Sequence, residues 1–123
     1  MLSLPPSVRI FVARGATDMR KSFDTLAVLV SDVIDEDPQS GHLFVFVNRR
    51  RDRVKILWWD RSGYCLLAKR LEHGQFRIYD QASGADGGYE MTMSDLTLLL
   101  DGIDLRRAKR RPSHDQVRRP VSA

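Results

Sequence analysis

Residues 41–70 read GHLFVFVNRR RDRVKILWWD RSGYCLLAKR, and their patterning decides the fold. Residues 42–48 are a β-branched and aromatic run, apolar at consecutive positions. Such a run marks a strand that is covered on both sides or lies centrally in a sheet. Residues 49–53 are a charged connection, and residues 54–60 return to strand composition. Arg61-Ser62-Gly63 is turn chemistry, with Gly63 able to take a positive φ, and residues 64–70 form a third strand. Residues 72–75 turn again before a short fourth strand at 76–79. Connections this tight join antiparallel neighbours, because parallel pairing needs a crossover of a dozen or more residues.

Working outward, residues 8–12 are a short strand-forming run between Pro6 and Gly15. Thr17 is placed to cap a helix, with Asp18 favourable in its first turn. Met19, Phe23, Leu26, Ala27, Val30 and Ile34 recur at three- and four-residue steps, one apolar face of a helix of about five turns. Pro38 and Gly41 end it. Residues 81–88 are a Gly/Ala/Ser/Asp loop. Thr92 and Asp95 have capping-box spacing ahead of Leu96, Leu99 and Leu100, and Gly102 follows as a C-cap. Apolar content nearly ceases after Leu105. The expectation is an α+β domain over residues 1–105: a small antiparallel β-meander of four to five strands packed against one long N-terminal helix, plus a short C-terminal helix. Residues 106–123 read as a basic, disordered tail.

The chain has 123 residues, the size of one domain, and a formal charge of +4. No apolar run approaches the ~20 residues of a membrane helix, and no signal peptide is visible. Cys65 is the single cysteine, which excludes an internal disulfide framework and fits a reducing cytoplasm. The distribution of charge says more than its sum. Residues 18–37 hold six acids and two cations, net −4. Residues 49–77 hold nine cations and three acids, net +6, and residues 106–123 hold seven cations and one acid, also +6. Clustered arginine is the footprint of a polyanion partner, although a solvated surface has the same composition.

Catalytic chemistry finds little to use. His42, His73 and His114 are isolated, and Cys65 sits in an apolar strand, so no metal site and no nucleophile is read. Gly84 and Gly87-Gly88 open no phosphate loop, because no Lys-Ser/Thr follows them. Asp52, Asp60 and Glu72 lack a diagnostic spacing for a metal-dependent nuclease. No cofactor is implied. What stands out is the tip of the central hairpin, Arg49, Arg50, Arg51 and Arg53, with Lys55 at the start of the next strand. Guanidinium forks match phosphate oxygens and the guanine edge, and a two-stranded ribbon fits the major groove. Lys69, Arg70 and Arg77 would flank this site, and Arg106, Arg107, Lys109, Arg110 and Arg111 would add affinity from the tail. The plainer reading is a charged tip that keeps the hairpin soluble. Trp58 and Trp59 are adjacent on a strand and so face opposite ways, one of them into the core.

Several blocks carry a family resemblance. Residues 17–26, TDMRKSFDTL, resemble an opening "DMRK-x-F-D-x-L" motif, and residues 41–60 resemble a "GxLFVFxNRRRDRxKxLxWD" centre. Gly63-Tyr64 with residues 69–76, KRLEHGQF, resembles a "G-[FY]…KRLExGxF" block, and residues 96–103 resemble a closing "L-x-x-LLxGID" helix. The chain is thereby similar to the TnpB, or second-open-reading-frame, accessory proteins of bacterial insertion-sequence family 66. The resemblance covers about residues 8–105 and leaves the tail outside. It implies a mobile-element protein needed for DNA transposition, encoded beside a larger transposase that carries the catalytic carboxylates; the residues themselves suggest that it is not an enzyme. The expected partners are DNA at the element's ends and that transposase, with self-association also compatible. The alternative is an adaptor that docks the transposase without touching DNA.

Overall fold

The computed structural model describes residue 5 and residues 7–78 and 87–101. Five strands form one sheet: β1 (Ile10–Ala13), β2 (Leu43–Val47), β3 (Arg53–Asp60), β4 (Gly63–Arg70) and β5 (Gly88–Met91), in the spatial order β4-β3-β2-β1-β5. The helices are α1 (Phe23–Leu29), which runs on into a π-helical turn at Val30–Ile34, and α2 (Met93–Leu100). The architecture is α+β, as the patterning along the chain implies.

The meander expected from residues 41–70 is present, since β2, β3 and β4 pair antiparallel in sequence order. The sheet as a whole is mixed, which corrects the purely antiparallel expectation. β1 pairs parallel to β2, with Ile10 opposite Leu43, and β5 pairs antiparallel to β1. The long connection between β1 and β2 contains α1, so it supplies the crossover that a parallel pair requires. Every residue of β1 and β2 is buried. Of the strand expected at 76–79, Phe76, Arg77 and Ile78 carry no regular secondary structure, and Tyr79 lies outside the described residues.

The single long N-terminal helix is replaced by something shorter. Thr17 is not its cap: its side chain is buried and its N–H donates to the Val47 carbonyl at 2.9 Å. Asp18 then makes a tight turn, accepting from the Arg20 N–H through Oδ1 and from the Lys21 N–H through its carbonyl. Ser22 is the N-cap, and its N–H donates to Thr25 Oγ1 at 2.9 Å. Met19 therefore packs on the core from the turn before the helix, and Phe23 is exposed at the first helical position. Leu26, Val30 and Ile34 are the residues this segment buries. In a regular α-helix each four-residue step overshoots a full turn by about 40°. The wider π turn takes up that overshoot, which keeps Ile34 facing the sheet with Leu26 and Val30.

Two cores result, one on each sheet face. Phe11, Phe44, Phe46 and Leu57 meet Leu26, Val30 and Ile34 on one side. Val12, Val45, Val54 and Ile56 meet Phe76, Met91, Leu96 and Leu99 on the other. Trp58 packs against the second core, whereas Trp59 lies edge-on to Tyr64, with ring centroids 5.0 Å apart. Cys65 is half-buried on β4, opposite Trp58. Close packing also explains Gly88: a Cβ there would lie 3.0 Å from both Ile34 Cγ2 and the Val12 carbonyl. Thr92 caps α2 as expected, with Oγ1 accepting from the Asp95 N–H at 3.0 Å. Gly102, read as that helix's C-cap, lies outside the described residues.

Candidate nucleic-acid interface

Because β1 and β2 run parallel and the crossover through α1 joins them, several cationic segments meet at one end of the sheet. The carboxyl ends of β1 and β2, the start of β3, the end of β4 and the start of α1 gather at one end of the sheet. At the other end Glu36, which follows the π turn, acts electrostatically on Arg9, just ahead of β1. The first of these ends collects Arg20, Lys21, Arg49, Arg50, Arg51, Arg53, Lys55, Lys69, Arg70 and Arg77.

The β2–β3 turn is held from inside by Asn48. Its Oδ1 accepts from the N–H groups of Asp52 and Arg53, both at 3.0 Å, and its Nδ2 donates to Asp52 Oδ1 at 2.7 Å. That amide, helped by Arg50 and Arg53 nearby, holds the Asp52 carboxyl below the usual carboxylate range. Arg51 takes a left-handed conformation, φ +62, which closes the turn. The turn is held from outside by residues 71–76. Leu71 N–H donates to the Asp52 carbonyl at 2.7 Å, Phe76 N–H to the Arg51 carbonyl at 2.6 Å, and Gln75 Nε2 to the Arg50 carbonyl at 2.8 Å. Phe76 is fully buried and anchors this strap in the core. The carbonyls of Arg50, Arg51 and Asp52 are thus committed to internal hydrogen bonds.

The cationic side chains differ in what they already hold. Arg49, Arg50, Arg53 and Arg77 are exposed, and Arg51 is half-buried. Arg50 approaches Asp52 only at 3.9 Å, with its side chain 84% exposed. Arg70 pairs with Glu72 at 3.2 Å. Lys55 points beneath the Asp18 turn and donates to the carbonyls of Met19 and Lys21 at 2.8 and 2.7 Å. Lys69 donates to the Leu100 carbonyl, where a cation favours the C-terminal end of α2. These two lysines, grouped with the arginines by sequence, tie distant segments together. Arg106, Arg107, Lys109, Arg110 and Arg111 lie outside the described residues.

Sequence reasoning missed several contributors. Arg20 and Lys21 were counted in the acidic segment, yet the crossover brings them to the basic end. Arg20 forks onto Asp18 at 2.7–3.1 Å, and its hydrogen bonds hold the Asp18 carboxyl at a pKa of about 2. The supporting amides of Asn48 and Gln75 gave one readable signal: Asn at a hairpin corner is turn chemistry.

Two hollows open at this end. One, of about 290 Å³, lies on the α1 side of the tip between Met19, Arg53, Lys55 and Arg70. The other, of about 180 Å³, lies at the carboxyl ends of β1 and β2, with Val12, Val47 and Ile78 in its wall and Arg49 and Arg51 at its edge. Among the described residues there is no group of three or more His, Cys, Asp or Glu able to hold a metal ion, and no helix long and apolar enough to cross a membrane.

Comparison with known proteins gives the chain its relatives. Residues 8–110 match the family model described as "IS66 Orf2 like protein". That match takes in the tail cations up to Arg110, beyond the limit at 105 that the motifs suggested. The protein named "Uncharacterized protein y4hO" of Sinorhizobium fredii (strain NBRC 101917 / NGR234) is 41% identical over 106 residues, covering 86% of this chain and 90% of its own. The protein named "Uncharacterized protein y4jC" of the same organism is 37% identical over 121 residues, covering 98% and 97%. No solved structure matches. The motifs of residues 17–76, the shared length and the family match lead to one conclusion: this chain belongs to the IS66 Orf2-like family, the transposition-associated accessory proteins of such insertion sequences.

Proposed function

We propose that the basic end of the sheet binds nucleic acid for transposition of the element, and that it does so without catalysing strand chemistry. The observation that carries this reading is the pre-set tip: Arg49, Arg50 and Arg53 project from a turn whose backbone is already bonded to Asn48 and to the 71–76 strap. A pre-organised cationic turn loses little conformational freedom on meeting a phosphate backbone. Arg77 extends the same surface, and the N-terminal end of α1 adds its partial positive charge. Lys55 and Lys69 contribute field there rather than direct contacts.

The test is a fluorescence titration of the full-length chain on the element's terminal DNA and on random DNA, at several salt concentrations. Neutralising four phosphates gives a log–log slope of about −3.6. Arg49/Arg50/Arg53→Ala should weaken both DNAs and flatten that slope. Absence of binding at low salt overturns the reading. If the chain then co-purifies with the transposase after nuclease treatment, the same arginines serve an acidic protein surface, and the adaptor role replaces the nucleic-acid role.

A further inference from the structure

The smaller hollow differs from the rest of the basic end in that aliphatic side chains share its wall with Asn48, Arg49 and Arg51. It forms where two parallel strands part company: the chain leaves β1 towards α1, while β2 turns back into β3. Crevices at the carboxyl ends of parallel strands arise from this divergence of connections, and ligands use them. Here Val12, Ala13, Val47 and Ile78 supply the aliphatic part of the wall, and Asn48, Arg49 and Arg51 the polar part. Gly15, at φ +80, has nothing within 4 Å of where a Cβ would stand, and Ala16 adds only a methyl group, so the mouth stays open. The volume of about 180 Å³ is that of roughly six waters at about 30 Å³ each. It is below the ~300–1,000 Å³ of clefts that enclose drug-sized ligands, so it suits a fragment and not a whole nucleotide.

We infer that this hollow receives one unstacked nucleobase from the strand whose phosphates the tip arginines hold. The inference rests on the nucleic-acid reading of the basic end and narrows it to single-stranded or locally unpaired substrate. The aliphatic part of the wall offers a phosphate no hydrogen bonds, so a phosphate is better held at the Arg49 and Arg51 edge than inside. The face of a base is content against that aliphatic part. Arg49 at the edge offers a planar guanidinium that can stack on a base or donate to its acceptor edge. A base inside a duplex cannot reach the hollow, because its faces are covered by its neighbours. Sequence tolerance is expected, since every base has an apolar face.

The experiment compares short single-stranded DNA, its duplex and an abasic oligonucleotide of the same length and phosphate spacing, all titrated against the full-length chain. Methyl NMR of Val12, Val47 and Ile78 reads the hollow directly. Single-stranded DNA should bind roughly tenfold or more tightly than the abasic strand and should shift those methyl signals. Ala16→Leu fills the mouth without changing charge. It should abolish the tenfold preference and the methyl shifts while leaving the salt slope intact. Equal affinity for base-bearing and abasic strands, with the salt slope still present, overturns the base pocket and leaves the phosphate reading standing. No binding of any strand at low salt overturns both.

Discussion

The two ends of this sheet each carry a tight turn, and they are built differently. At the end away from the arginine tip the β3–β4 turn is closed by its own backbone: Arg61 takes φ +54, and Ser62 N–H folds back onto the Asp60 carbonyl. At the basic end the β2–β3 turn also places an arginine at positive φ, but it is bonded by Asn48 within and by the 71–76 strap without. The difference follows from charge. Arg49, Arg50, Arg51 and Arg53 are like charges crowded at one corner and repel one another. Fixing the carbonyls of Arg50, Arg51 and Asp52 from a separate segment keeps the cations converged. Order at the basic end is therefore borrowed from the core through Phe76.

That contrast can be broken first at its anchor. Phe76→Ala removes a fully buried ring and should destabilise the protein by about 3–5 kcal/mol, measured by denaturant unfolding. A loss below about 1 kcal/mol would show that the strap is not seated in the core as described.

The internal support comes next. Asn48→Ala deletes both backbone acceptances and the contact with Asp52, at a cost of about 1–3 kcal/mol. Hydrogen exchange should rise at Asp52 and Arg53 while the Ser62 amide in the other turn keeps its wild-type rate. Equal loosening of both turns would mean a global effect and not local support.

The smallest effect sharpens the comparison through one acid at each end. Asp18 is held at a pKa of about 2 by the Arg20 guanidinium and N–H, and Glu90 below the usual range by its paired hydrogen bonds with Arg9 at 2.7 and 3.0 Å. Both folded pKa values lie below the unfolded ones. Each pair therefore contributes stability above the unfolded carboxylate range, and that contribution is lost as pH falls through the folded value. Both pairs are solvent-exposed, so the effect on stability is small. NMR titration should return Asp18 towards the usual range in Arg20→Gln without moving Glu90, and Glu90 in Arg9→Gln without moving Asp18. A coupled response would contradict the separation of the two ends.

Much of the fold was legible, for local reasons. The unbroken apolar run at 43–47 marked the central strand, and short polar connections marked the antiparallel neighbours. The Thr92–Asp95 spacing marked a helix start. The parallel β1 was not read, although the strand–helix–strand order of residues 8–48 contained the necessary crossover. Periodicity also overstated the first helix. Met19 and Phe23 continue the apolar spacing, but the Asp18–Arg20 turn competes for the same backbone and delays the start to Ser22.

By itself, then, the sequence determined what depends on near neighbours: which segments are strands, where turns must fall, and that arginine crowds one hairpin corner. Those properties follow from side-chain alternation and turn chemistry within a few residues. Tertiary structure alone decided which cations remain available. Lys55 and Lys69 look equivalent to Arg53 along the chain, yet each donates to backbone carbonyls 31 or more positions away. It also decided that Arg20 and Lys21 join the basic end and that a partly aliphatic hollow opens beside Arg49. Each outcome depends on the parallel crossover, a long-range pairing whose energy lies in burying β1 and β2 on both faces, and no short stretch of residues encodes that by itself.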